Sequence, residues 1–201
     1  MSIGADIVAA LPELFLAGTA IVLLMLGVFL RDISTRSIGL LAVAALAFAG
    51  ALIYLGEGRG TVAFNGLFLN DGFGDFMKVL VLIGAALTIA MALRGLEQEQ
   101  MNQFEFPVLL LLATVGMLMM ISANDLISLY MGLELQSLAL YVVAAFRRDS
   151  LRSSEAGLKY FVLGSLASGM LLYGMSMVYG FTGSTSFDVL AQVFAAQEGA
   201  P

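Results

Sequence analysis

The chain has 201 residues, of which 60% are apolar and 12% charged, with a formal net charge of −6. This composition, with a mean hydropathy of +0.97, excludes a soluble domain, which needs far more polar surface. Cys, His and Trp are absent, which excludes thiol redox chemistry, disulfides and the usual ligands of zinc, haem and iron–sulfur clusters; any redox cofactor that serves this chain is expected on another polypeptide.

The N-terminal MSIGADIVAALPE has no basic residue before its apolar run. A cleaved secretory signal needs a positive start, so this end is expected to be retained. Apolar runs of about 17–25 residues read as spanning helices, and six are expected here. The first runs from about Pro12 to Leu30, with Pro12 in the first helical turn, where its missing N–H is harmless. The second runs from about Ile38 to Leu55. Next comes GRGTVAFNGLFLNDGFG, in which Asn65-Gly66 sits between two β-prone runs, the mark of a tight hairpin. The third span runs from about Asp75 to Leu93 and the fourth from Pro107 to about Ile121. The fifth runs from about Leu126 to Phe146 with Asn124 as its expected N-cap. The sixth runs from about Glu155 to Phe181 after Ser153 and Ser154, two candidate caps. Last, Phe187, Leu190, Val193 and Phe194 fall on one helical face, which predicts a short interfacial helix over about 186–197. No linker divides the chain, so residues 1–201 read as a single all-α membrane domain.

Basic residues orient the bundle. Arg31 and Arg36 lie between the first two spans, Arg94 follows the third, and Arg147, Arg148 and Arg152 lie between the fifth and sixth. These share one side. The other side has Arg59, with Lys78 just inside the third span. The positive-inside rule assigns the arginine-rich side to the cytoplasm and the N-terminus to the outside.

The residue most in need of a reason is Glu134, in LYMGLELQSLALY. It lies roughly 12 residues, or about 18 Å, from the cytoplasmic end of its helix, near the middle of a hydrocarbon core about 30 Å thick. An ionised carboxylate there costs at least a few kcal/mol. Tyr130, Ser137 and Tyr141 stand at −4, +3 and +7 from it and form one polar stripe with it. That stripe should face protein or water. Intramembrane ionisable groups are functional by default; the plainer reading is a glutamate that only hydrogen-bonds a neighbouring helix. Lys159, on the next helix, is the natural partner but sits nearer the cytoplasmic end, where it could instead snorkel to the surface.

Other charges have local explanations. Glu13 and Asp125 stand in first turns, where acids complement the helix dipole, and Asp75 with Lys78 reads as an interfacial anchor. Gly164 with Ser168, and Ser165 with Gly169, follow a small-xxx-small pattern that permits close helix approach. No phosphate loop, nucleophile elbow or metal motif appears, and no nucleic-acid partner is expected.

Together, LPELFLAG, the FNGLF hairpin, LYMGLELQSLALY and SSEAGLKYFVLGSLASGMLLYG resemble subunit N of bacterial NADH:quinone oxidoreductase (respiratory complex I), whose mitochondrial counterpart is NADH dehydrogenase subunit 2. The resemblance runs through essentially the whole chain. It implies the N-terminal part of an antiporter-like fold of about fourteen spanning helices with inverted repeats around broken helices. It implies a proton-translocating, non-redox subunit of the bacterial inner membrane. Its partners would be other complex I membrane subunits, including sister antiporter-like subunits, and the lipid bilayer. NADH, FMN, iron–sulfur clusters and quinone would be bound by partner subunits. The resemblance also implies that Glu134 and Lys159 belong to the proton-translocating machinery. The alternatives are a subunit of a multi-subunit sodium/proton antiporter and a passive membrane scaffold.

Overall fold

The computed structural model describes residues 3–29, 35–56, 60–98 and 103–198; Arg31 and Arg59 lie outside these ranges. In chain order the elements are α1 (Ile3–Ala9), α2 (Leu11–Phe29), α3 (Thr35–Leu55), strands β1 (Thr61–Ala63) and β2 (Phe68–Asn70), α4 (Gly72–Gln98), α5 (Glu105–Ser122), α6 (Leu126–Ala144), α7 (Leu151–Thr182) and α8 (Phe187–Glu198). Among the described residues six helices, α2 to α7, are long and apolar enough to cross a membrane. In lipid a helix satisfies its own backbone, which is why apolar runs of this length take that form.

α5 is the central helix, and α7 packs chiefly on α6. The core lies between α2, α3, α4 and α5, around Leu16, Ile38, Leu46, Ile89, Leu111 and Leu118. α5 and α6 approach most closely where Gly116 faces Gly132. A Cβ on Gly116 would lie 2.6 Å from the Gly132 carbonyl oxygen and from the Gln136 nitrogen. Only glycine permits backbones this near each other.

The hairpin is present, but its turn is wider than a two-residue connection. Ala63 pairs with Phe68, which leaves Phe64, Asn65, Gly66 and Leu67 in the turn. Phe64, Asn65 and Gly66 take positive φ values of 51°, 57° and 97°. Asn and Gly accept that region readily, whereas Phe64 needs outside support. The Phe64 N–H donates to the Asp6 carboxylate of α1 at 3.2 Å.

Two expected caps are corrected. Asn124 does not cap α6; Asp125 does, its carboxylate accepting from the Ile127 N–H at 2.8 Å. The Asn124 side chain instead donates to the Gly66 carbonyl at 3.1 Å and to Asp188 of α8 at 3.0 Å. The Leu126 N–H also donates to the Thr185 carbonyl at 3.0 Å, so the hairpin, the α5–α6 turn and α8 form one junction. α7 begins at Leu151, so Ser153 and Ser154 lie inside it; their hydroxyls reach back to the Ala144 and Arg148 carbonyls. Of the predicted face of α8, Leu190 is buried, Phe187 and Val193 are half-buried and Phe194 is exposed. The bundle thus has a hairpin end and an arginine end, the latter holding Arg94, Arg147, Arg148 and Arg152.

Candidate functional site

Glu134 sits near the middle of α6, eight residues after Leu126 and ten before Ala144. At 1.5 Å per residue it lies about 12 Å from one end of the helix and about 15 Å from the other. Across the interface, the Ser168 hydroxyl of α7 donates to the Glu134 carboxylate. The Tyr130 hydroxyl and Ser168 Oγ lie 3.1 Å apart, completing a Tyr130–Ser168–Glu134 chain. Ser168 is buried, whereas Glu134, Tyr130, Ser137 and Tyr141 are half-buried.

Tyr141 continues the stripe. Its ring stands edge-on to Tyr160 at 4.8 Å and to Phe161 at 5.7 Å. Its hydroxyl fills the space that a Cβ on Gly164 would need. Gly164 and Ser168 are therefore the small pair that meets α6. Ser165 is exposed and donates to its own helix, and Gly169 faces open space. The helical spacing of the stripe could place Tyr130, Glu134 and Tyr141 together. Ser168 as a partner was hidden, because its small size alone accounted for it.

Lys159 is not brought to Glu134. Its ammonium lies 2.5 Å from Glu155, one turn earlier on α7, and the two side chains are 70% and 55% exposed. Lys159 is nine residues from Ser168, about 13 Å along the axis, so the carboxylate and this ammonium lie at different depths.

Lys78 and Glu13 require a correction. Lys78 is 1% exposed and Glu13 4%. Lys78 Nζ lies 2.8 Å from Glu13 Oε1, joining α4 to α2, and 5.0 Å from the centre of the Phe68 ring. Neither residue is an exposed interfacial anchor. Dipole and snorkelling arguments concern one helix at a time; this pairing depends on how two helices sit together. The available signal was opposite charge near the same end of two helices that start on the same side.

Among the described residues no group of three or more Asp or Glu is placed to hold a metal ion. What the arrangement offers is a hydrogen-bonded carboxylate at mid-helix and a buried ion pair near the hairpin end.

Comparison with known proteins defines the class. A family model described as NADH:quinone oxidoreductase/Mrp antiporter, transmembrane, matches residues 123–200, the segment that carries Glu134, Lys159 and Ser168. The fold is that of an antiporter-like, multi-pass membrane subunit. The chain is 61% identical over 192 residues to NADH-quinone oxidoreductase subunit N of Rhodospirillum rubrum, covering 94% of this chain and 39% of the relative. It is 57% identical over 196 residues to the subunit N of Paramagnetospirillum magneticum, covering 98% and 40%. A chain of respiratory complex I from Thermus thermophilus with bound aureothin matches with a TM-score of 0.73 at 32% identity, covering 94% of this chain and 39% of that one. A chain of the membrane-bound sulfane sulfur reductase, an archaeal respiratory membrane complex, matches with a TM-score of 0.70 at 22% identity, covering 95% and 40%; this likeness concerns the fold alone. Over nearly its whole length the chain is similar to NADH-quinone oxidoreductase subunit N proteins, and it spans 39–40% of the length of the relatives it matches.

Proposed function

We propose that this chain is part of a proton-translocating membrane subunit of an NADH:quinone oxidoreductase. The observation that carries the reading is Glu134, an ionisable group near the middle of a spanning helix, which accepts from Ser168, itself in contact with Tyr130. An ionisable group kept at this depth and reached by a hydroxyl from the neighbouring helix suits a group that holds and releases a proton. Moving one charge against 100 mV costs about 2.3 kcal/mol. That energy would come from electron transfer between NADH and quinone, with FMN and iron–sulfur clusters on partner subunits. Further complex I membrane subunits, among them sister antiporter-like subunits, are the proposed partners. In the proposed orientation the arginine end faces the cytoplasm and the hairpin end faces outward.

Lys159 has a secondary place in this reading. On the cytoplasmic side of Glu134, paired with Glu155, it would act through groups beyond these two, because the direct distance is too long.

The test is Glu134→Gln in the full-length protein within the assembled complex. Normal assembly with loss of proton translocation during NADH oxidation is the expected result. Undiminished translocation would leave the scaffold reading. A sodium/proton antiporter subunit is the second reading, because the matching family description also covers the Mrp antiporter. Co-purification with flavin and iron–sulfur subunits favours the oxidoreductase; their absence, with sodium-dependent proton exchange, favours the antiporter.

A further inference from the structure

The buried ion pair near the hairpin end lies on helices outside the segment matched by the family model. It has three physical features. Both side chains are removed from solvent. The Lys78–Glu13 contact is one of charge, and neither Glu13 oxygen has an aligned hydrogen bond from a protein group among the described residues. The pair also stands between two cavities. Lys78 lines one of about 180 Å³ with Asn70 and Asp75, beside the α1–α2 turn and the end of α3. Glu13 lines another of about 440 Å³, apolar apart from Glu13 itself and Ser128, that reaches Ser128 and Met131 on α6, the helix of Glu134.

Stability alone is a poor reason for such a pair. Desolvating two charges is expensive, the attraction recovers the cost only when further hydrogen bonds complete the site, and neutral replacement of both partners is often harmless. Ionisable groups kept inside spanning helices are instead functional by default.

We propose that Glu13 and Lys78 form a second proton-exchange site, on the outward side of the bundle; this rests on the proton-translocating reading given above. The cycle balances. A proton arriving from the α6 side binds the Glu13 carboxylate. Lys78, now without its counter-charge, releases a proton toward Asn70 and Asp75. The Glu13 proton then passes to the Lys78 amine and restores the ion pair, so one proton enters and one leaves. Among the described residues the other ionisable groups at this end are Asp6 on α1, Tyr54 on α3, Asp71 and Asp75 at the start of α4, Asp125 at the start of α6, Tyr179 near the end of α7 and Asp188 at the start of α8.

The discriminating variant is Lys78→Arg in the full-length protein within the assembled complex. A guanidinium keeps the charge and the pairing but does not deprotonate. Proton translocation per NADH oxidised should fall while the amount of assembled complex stays at the wild-type level. Wild-type translocation in this variant would overturn the proposal and leave the pair as a clamp. The double variant Glu13→Gln with Lys78→Met guards against a packing effect of the larger side chain: it removes both charges and should show the same loss. Full translocation in the double variant also overturns the proposal, whatever Lys78→Arg shows. Glu134→Gln measured in parallel separates the two readings: loss there with full translocation in the Lys78 variants removes this site and keeps the first.

Discussion

Ser168 of α7 donates its hydroxyl to the carboxylate of Glu134 on α6, and the same oxygen meets the Tyr130 hydroxyl at 3.1 Å. Ser168→Ala removes the donor with little change in volume. A buried polar group that loses its partner costs about 1–3 kcal/mol. The variant should assemble and translocate protons more slowly than wild type. Proton uptake by inverted membrane vesicles measures the rate. An unchanged rate would show that translocation does not depend on this hydroxyl.

Gly132 lies two residues from Glu134, at the α5–α6 crossing. A Cβ there would lie 2.9 Å from the Gly116 carbonyl oxygen and from the Met120 nitrogen. Backbone atoms cannot step aside, so Gly132→Ala must push α5 and α6 apart. Overpacking of this kind costs about 1–3 kcal/mol, occasionally more. A lower thermal midpoint of the full-length protein in detergent is expected, and an unshifted midpoint would contradict the crossing.

Asn124 ties the hairpin and α8 to the turn before α6 through its side-chain contacts with Gly66 and Asp188. Asn124→Ala loses both, at about 1 kcal/mol per hydrogen bond. Hydrogen exchange should quicken in the 66–68 and 186–188 segments and remain unchanged in the centre of α5. Equal protection in both proteins would mean that the backbone contacts alone hold the junction.

Lys159 and Glu155 form an exposed i,i+4 pair. Such pairs contribute about 0.3–0.5 kcal/mol, so Lys159→Ala should leave the thermal midpoint almost unchanged. Any effect on proton translocation would then report function and not folding. A large loss of stability would mean that the lysine is buried in the full-length protein.

Hydropathy and chain-order signals made the spans, the hairpin and the amphipathic α8 legible, because each depends on a short stretch of chain and its solvent. The polar stripe was legible for the same reason: helical spacing alone puts Tyr130, Glu134 and Tyr141 on one face. Caps were read less well. Asn124 and Asp125 both suit an N-cap, and only the position of the hairpin and α8 decides which side chain is diverted. Lys78 and Glu13 each had a sufficient local explanation, and that concealed their pairing.

By itself, then, the sequence determined a membrane helix bundle with a carboxylate near mid-depth, since apolar length and the 1.5 Å rise set which residues lie inside the hydrocarbon. The tertiary structure alone decided which groups meet. Ser168 reaches Glu134 while Lys159 stays about 13 Å away along the axis, and Lys78 crosses to Glu13. The physical reason is that relative sliding and rotation of helices are set by side-chain packing, here where Gly116 meets Gly132 and where Gly164 meets Tyr141.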